Sequence, residues 1–259
     1  MGSRIQSASL KLRYSVSLLR SLPIRAGLAG SLWEVLRSRP DDVIQHQPAY
    51  LPLQDVPGLP RVLLIGDSIS VGYTMAVRRR LKGSANVHRP LENCGSTTKG
   101  VESLERWLGD GPWNAIVFNF GLHDAIRAEQ GPVVPIQEYS ANLRSIAQRL
   151  METKARLLWA STTPVTRLAP VPHDDMRYLE QEGEKLLGYV EADIPDYNDA
   201  ANKIMSEFAI ETVDLYGRVL PMRASLQIPG DIHFTRQGYS LLGDRVAQAI
   251  REQCLLSEK

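Results

Sequence analysis

The stretch that decides the fold is Arg61-Val62-Leu63-Leu64-Ile65-Gly66-Asp67-Ser68-Ile69-Ser70. A short β-branched and leucine run, Arg61–Ile65, stops at a glycine, and an Asp-Ser pair follows. The run has the length of a buried strand. Glycine lets the chain turn tightly, and Asp and Ser are good helix caps. The sequence therefore reads as strand, turn and helix, with the helix over Ile69–Leu81.

Working outward, the same alternation continues. Asn86–His88 reads as a short strand. Val101–Leu108 reads as a helix, with Leu104 and Leu108 four apart. Ala115–Phe120 is a strand ending at Gly121. Ile136–Met151 is an amphipathic helix, with Ile136, Tyr139, Leu143, Ile146, Ala147 and Leu150 at helical spacing. Arg156–Ala160 is a strand, and Thr163–Pro172 is a proline-rich loop. Asp174–Val190 and Asp196–Phe208 read as helices separated by Asp193-Ile194-Pro195. Glu211–Asp214 is a last strand, and Thr235–Glu252 is a closing helix capped by Thr235. Alternating strands and helices imply an α/β protein with three α/β/α layers and a flavodoxin-like parallel sheet of about five strands. In such sheets ligands bind beyond the carboxyl ends of the strands.

The chain of 259 residues is long enough for one large domain. It is 43% hydrophobic and 23% charged, with a formal net charge of +1. That balance gives no electrostatic reason to expect nucleic acid or an anionic membrane as partner. No apolar run approaches the ~20 residues of a membrane span. Two cysteines, Cys94 and Cys254, make neither a disulfide framework nor a zinc site, and they are either bridged or free. Residues 1–60 divide from a catalytic domain over 61–259. Residues 1–33 carry Arg4, Lys11, Arg13, Arg20 and Arg25 and no acid. They resemble a transit peptide more than a secretory signal, and a basic amphipathic helix through Leu10, Tyr14, Leu18 and Leu22 is the favoured reading. Met1-Gly2-Ser3 is alternatively a cloning scar. Prolines 40, 48, 52, 57 and 60 mark an extended linker into the core.

Four segments follow predicted strands. They are Gly66-Asp67-Ser68-Ile69, Asn93-Cys94-Gly95-Ser96, Gly121-Leu122-His123-Asp124 and Gly230-Asp231-Ile232-His233-Phe234-Thr235. Each alone has a plain structural reading: a helix cap, a turn, a structural histidine and a loop pair. Together, at successive strand ends, they place a serine, a glycine, two histidines and acids at one edge of the sheet. This order resembles the SGNH (GDSL-type) hydrolase family from about Arg61 to Ile250. That family carries GDS, then a glycine, then GxND, then DxxH. Two positions depart from the pattern. His123 stands where the family usually has asparagine, and Asp231 stands two residues before His233, with Gly230 at the usual acid position. The GLHD and D-x-H forms look like a bacterial branch of the family.

The resemblance implies acyl transfer to water. Ser68 would be the nucleophile, His233 the base and Asp231 the group that orients it. The backbone N–H groups of Ser68 and Gly95 and the His123 side chain would form the oxyanion hole. Failing Asp231, a backbone carbonyl would orient His233. Asp67 reads as a structural cap and Asp124 as a buttress of the third loop. No cofactor and no metal are expected. The expected substrate is a short-chain acyl ester, acetyl on a carbohydrate above others. The alternatives are a general short-chain esterase, lipase or thioesterase. Thr166–Pro195 is read either as one wall of the site or as packing or a dimer surface. Export is weakly favoured by the resemblance. The rival readings are an inactive binding module on the same fold, a nucleotide-binding α/β domain, and a metal-dependent hydrolase using His123, Asp124, Asp231 and His233. The nucleotide-binding reading lacks a GxGxxG or GxxxxGK[ST] motif after the first strand.

Overall fold

A computed structural model describes residues 48–165 and 186–255 of the chain. The segment expected to form a basic N-terminal helix, the first part of the expected linker and most of the Thr166–Pro195 segment lie outside the described residues.

Five strands form the central parallel sheet: β1 (Arg61–Ile65), β2 (Asn86–His88), β3 (Ala115–Phe118), β6 (Arg156–Ala160) and β8 (Glu211–Val213). Their order is β2-β1-β3-β6-β8. Neighbours pair in parallel throughout, for example Leu64 opposite Val117 and Phe118 opposite Trp159. Both faces of the sheet are covered, so the strands are apolar on both sides rather than alternating. Val62–Ile65 and Ala115–Phe118 are all buried. Each Val, Leu, Ile or Phe among them contributes roughly 1.5–3 kcal/mol of burial.

Helix α1 (Ser68–Arg80) packs against the closing helix α7 (Arg236–Ile250). On the other side α2 (Thr97–Leu108) packs on α3 (Ile136–Glu152), and α3 packs on α4 (Asp193–Glu207). The α1–α7 crossing is close because it is built on glycines. A Cβ at Gly72 would lie 2.1 Å from the Tyr239 ring, and one at Gly243 would lie 2.4 Å from Ala76.

Most elements fall where the sequence places them, and the differences have local causes. Helix α2 starts at Thr97 rather than Val101, because Ser96 caps it by accepting from the Lys99 N–H. Helix α4 begins at Asp193, so Pro195 lies in its first turn, where the missing N–H costs nothing. Leu186–Gly188 is not the end of a helix but a strand, β7. It pairs antiparallel with β4 (Arg127–Ala128), which also pairs with β5 (Gly131–Pro132). This small second sheet overrides the local helical pattern. Two one-turn helices, α5 (Tyr216–Val219) and α6 (Arg223–Leu226), lead towards α7.

Residues 48–60 run over the core as a fastened strap. Val56 donates to Asn86 Oδ1 at 2.9 Å, and Asn86 Nδ2 donates back to Val56 O at 3.0 Å and to Leu59 O at 3.2 Å. Cys94 is buried, Cys254 is half-buried, and both are free thiols. Among the described residues no helix is long and apolar enough to cross a membrane.

Candidate active site

Ser68 is the first residue of α1. Asp67 caps the helix: its Oδ1 accepts the Ile69 N–H at 2.9 Å, and the residue is 1% exposed. The cap holds the turn rigid and leaves Ser68 half-buried at the helix mouth. As the first helical residue, Ser68 has an N–H with no partner inside the helix.

His233 comes from the segment before α7. The chain folds back on itself here. Thr235 N–H donates to Leu226 O at 2.8 Å, Ile228 N–H to His233 O at 2.9 Å, and Asp231 N–H to Ile228 O at 3.0 Å. Gln227 Nε2 ties the fold-back to its surroundings, donating to Pro164 O at 2.6 Å and Ile232 O at 3.3 Å. Gly230 sits exposed at the tip. The tight turn explains why an acid two residues upstream reaches the ring. Asp231 Oδ1 lies 2.9 Å from His233 Nδ1, and the same oxygen accepts the His233 backbone N–H at 3.1 Å. His233 Nε2 lies 2.9 Å from Ser68 Oγ. Burial acts to raise the Asp231 pKa, but the hydrogen bonds and charge of His233 outweigh it and hold the carboxyl below the usual carboxylate range.

The strand order β2-β1-β3 sets the loops carrying Gly95 and His123 on either side of the Ser68 turn. Cys94 N–H donates to Gly66 O at 3.3 Å, which joins the second loop to the first. Gly95 is buried with φ +64°, a conformation that favours glycine. Its N–H donates to Asn93 Oδ1 at 3.0 Å, so an incoming oxyanion must share or replace that acceptor. His123 is half-buried in the turn after β3. Next to it, Asp124 is fully buried, and its Oδ1 accepts from Thr97 N–H at 2.9 Å and from Thr97 Oγ1 at 2.5 Å. Asp124 thus joins the third loop to the helix that follows the second. Burial pushes its carboxyl up to about 6, against the Thr97 hydrogen bonds and the His123 charge that favour the ionised form.

The geometry therefore links Ser68, His233 and Asp231 directly, with Gly95 and His123 in the two flanking loops. A serine hydroxyl bonded to an imidazole that is in turn bonded to a carboxylate is the arrangement of an activated nucleophile. The four residues of the metal-dependent reading have protein partners, and among the described residues no group of three or more His, Cys, Asp or Glu is set to hold a metal ion. The sequence reading missed Thr97, Gln227 and Arg89. Gln227 and Arg89 support loops by donating to backbone carbonyls, and Thr97 by donating its N–H and hydroxyl to the Asp124 carboxylate; sequence spacing carries no signal for either.

The chain matches the GDSL-like lipase/acylhydrolase family over residues 62–246. Among curated protein sequences there is no significant relative. Several solved structures share the fold at low identity. An acetyl xylan esterase superposes with a TM-score of 0.58 at 15% identity, over 73% of this chain and 99% of its own. A lipase/acylhydrolase from Enterococcus faecalis gives 0.59 at 17% identity, over 75% and 96%. A GDSL-like lipase from Bacteroides thetaiotaomicron gives 0.57 at 18% identity, over 78% and 92%. With the sheet order, the Ser68 turn and the family match in agreement, this chain belongs to the GDSL-like lipase/acylhydrolase (SGNH hydrolase) family, a family of ester hydrolases.

Proposed function

We propose that the protein hydrolyses short-chain acyl esters, acetyl esters of carbohydrates above others, through an acyl-enzyme at Ser68. The observation that carries this reading is the unbroken chain from Asp231 through His233 to Ser68, with 2.9 Å at each link. Ser68 Oγ attacks the ester carbonyl while His233 Nε2 takes its proton. The carbonyl oxygen becomes an oxyanion, met by the Ser68 and Gly95 N–H groups and by His123. As the intermediate collapses, His233 returns the proton to the leaving alcohol and the acyl group stays on Ser68. Water, deprotonated by His233, then attacks the acyl-enzyme and frees the acid. Asp231 holds the ring and stabilises its charged form.

The preference for a small acyl group rests on composition and likeness. Aromatic residues are only 7% of the chain, few for a long-chain lipid site. The fold is shared with an acetyl xylan esterase.

The test is a panel of p-nitrophenyl acetate, butyrate and octanoate, with acetylated xylan and acetylated monosaccharides. The expected result is fastest turnover of acetyl esters and release of acetate from the sugars. A fluorophosphonate probe should label the wild type and not Ser68→Ala. Labelling that persists in Ser68→Ala would remove Ser68 as nucleophile. Octanoate hydrolysed faster than acetate would overturn the short-acyl preference.

A further inference from the structure

Arg89 follows β2 and is only 5% exposed. A guanidinium has five N–H donors in a fixed fork. Here they make five hydrogen bonds, all to neutral oxygens. Nε donates to Pro90 O at 3.1 Å. Nη1 donates to Ser70 Oγ at 3.0 Å and to Thr74 Oγ1 at 3.1 Å. Nη2 donates to Gly66 O and to Glu92 O, both at 3.2 Å. The Tyr50 ring of the strap lies over the guanidinium at 5.2 Å. A cation buried on neutral partners is an expensive way to fill a core, because it gives up hydration without a counter-charge in its hydrogen bonds.

The partners show what the arrangement does. Gly66 stands two residues before Ser68, and Glu92 stands three before Gly95. Ser70 and Thr74 lie on α1 below Ser68, and Ser70 Oγ also donates to Asp67 O at 2.9 Å. Gly66 O takes both the Arg89 Nη2 donor and the Cys94 N–H. One planar group therefore spans the two loops.

We propose that Arg89 is a positioning residue for acyl transfer: its guanidinium fixes the Ser68 turn against the Gly95 turn, and so aligns the attacking oxygen with the Gly95 N–H. The inference rests on the reading of Ser68 and Gly95 given above. The Nη1 half anchors the fork to α1, and the Nη2 half makes the bridge. Lysine has one nitrogen and cannot fill both halves. Misplacement of a reacting group by about 1 Å can cost on the order of 10² in rate.

The test compares wild type, Arg89→Lys and the core variant Leu150→Ala, using p-nitrophenyl acetate kinetics, thermal melting and amide exchange over residues 90–97. Leu150 is buried near the end of α3 and touches neither the Arg89 fork nor the Ser68 turn, so Leu150→Ala weakens the fold and leaves the bridge. Arg89→Lys should lose roughly 10- to 100-fold in kcat with KM within about threefold, and amide exchange at Cys94 and Gly95 should be faster. Leu150→Ala should melt earlier and keep kcat within about twofold. Arg89→Gln serves the same comparison if the lysine variant does not fold. An unchanged kcat in the Arg89 variant, or an equal loss in Leu150→Ala, would overturn the proposal. A wild type that cleaves no ester defeats the esterase reading instead. Exchange then decides for Arg89 alone: faster exchange at Cys94 and Gly95 supports the bridge, and unchanged exchange overturns it.

Discussion

Replacing Asp231 by asparagine should be much milder than replacing it by alanine. In a Ser-His-Asp triad the acid has two tasks, to select the ring tautomer and to stabilise the imidazolium. An asparagine that turns its NH2 towards the ring selects the wrong tautomer, and the rate then falls by about 10⁴. In this protein the local turn forbids that. Asp231 Oδ1 accepts from both His233 Nδ1 and the His233 backbone N–H, at 2.9 and 3.1 Å. Because the backbone N–H can only donate, the asparagine must keep its carbonyl oxygen in that place, and Nδ1 keeps its proton. What is lost is the charge. A hydrogen bond to a charged group is worth about 1.5–3 kcal/mol, and 1.36 kcal/mol is tenfold, so Asp231→Asn should lose roughly 10- to 150-fold in kcat/KM. Asp231→Ala also frees the ring and should lose about 10³–10⁴. The coupling that lowers the Asp231 pKa is reciprocal, so the acid limb of the rate profile should move to lower pH in Asp231→Asn. The assay is p-nitrophenyl acetate hydrolysis from pH 5 to 9. A loss of 10⁴ in Asp231→Asn would refute the shared-oxygen argument, and no loss would show that the carboxylate charge is unused.

Other outcomes follow from the same geometry. His123→Asn should keep more activity than His123→Ala, since an amide can donate to an oxyanion; equal and complete loss in both would remove His123 from that role. Gly72→Ala would set a methyl 2.1 Å from the Tyr239 ring, and overpacking of this kind costs about 1–3 kcal/mol. Calorimetry should show melting lower by roughly 2–10 °C, and an unchanged melting temperature would mean that the α1–α7 crossing yields freely. Asp124 keeps its proton in the folded protein up to about pH 6, whereas an unfolded chain loses it near pH 4. The folded state binds more protons between those values, so this carboxyl erodes stability as pH rises through them. Asp124→Asn lacks that erosion, and its melting temperature should gain on the wild type from pH 4 to pH 6.5; parallel curves would refute the assignment.

Much of the sheet was legible because its strands are buried on both faces. β1 and β6 are nearly uninterrupted apolar runs bounded by turn residues, and their limits agree with the sequence reading. Helix α3 was legible for the opposite reason, since its apolar positions recur on one face. The small sheet was not legible, because strands of two or three residues have no period to detect. Leu186–Gly188 takes its conformation from a partner nearly sixty residues away. At the site, sequence order pointed to four loops but not to their supports. Arg89 belongs to no motif, and only its five neutral partners reveal it. Gly95 was read as a free donor, and the Asn93 carbonyl that occupies its N–H is a local turn contact that spacing does not report.

The link between Ser68 and His233 spans 165 positions of sequence. Ser68, the proposed nucleophile, leaves the ribosome early, and His233, its proposed base, emerges only just before the last helix. Until that helix docks against α1, the serine is an ordinary hydroxyl with no group to take its proton. On the proposed mechanism, activity therefore waits for the last helix. A refolding chain should regain secondary structure well before it regains activity, with the slow step being closure of this long loop.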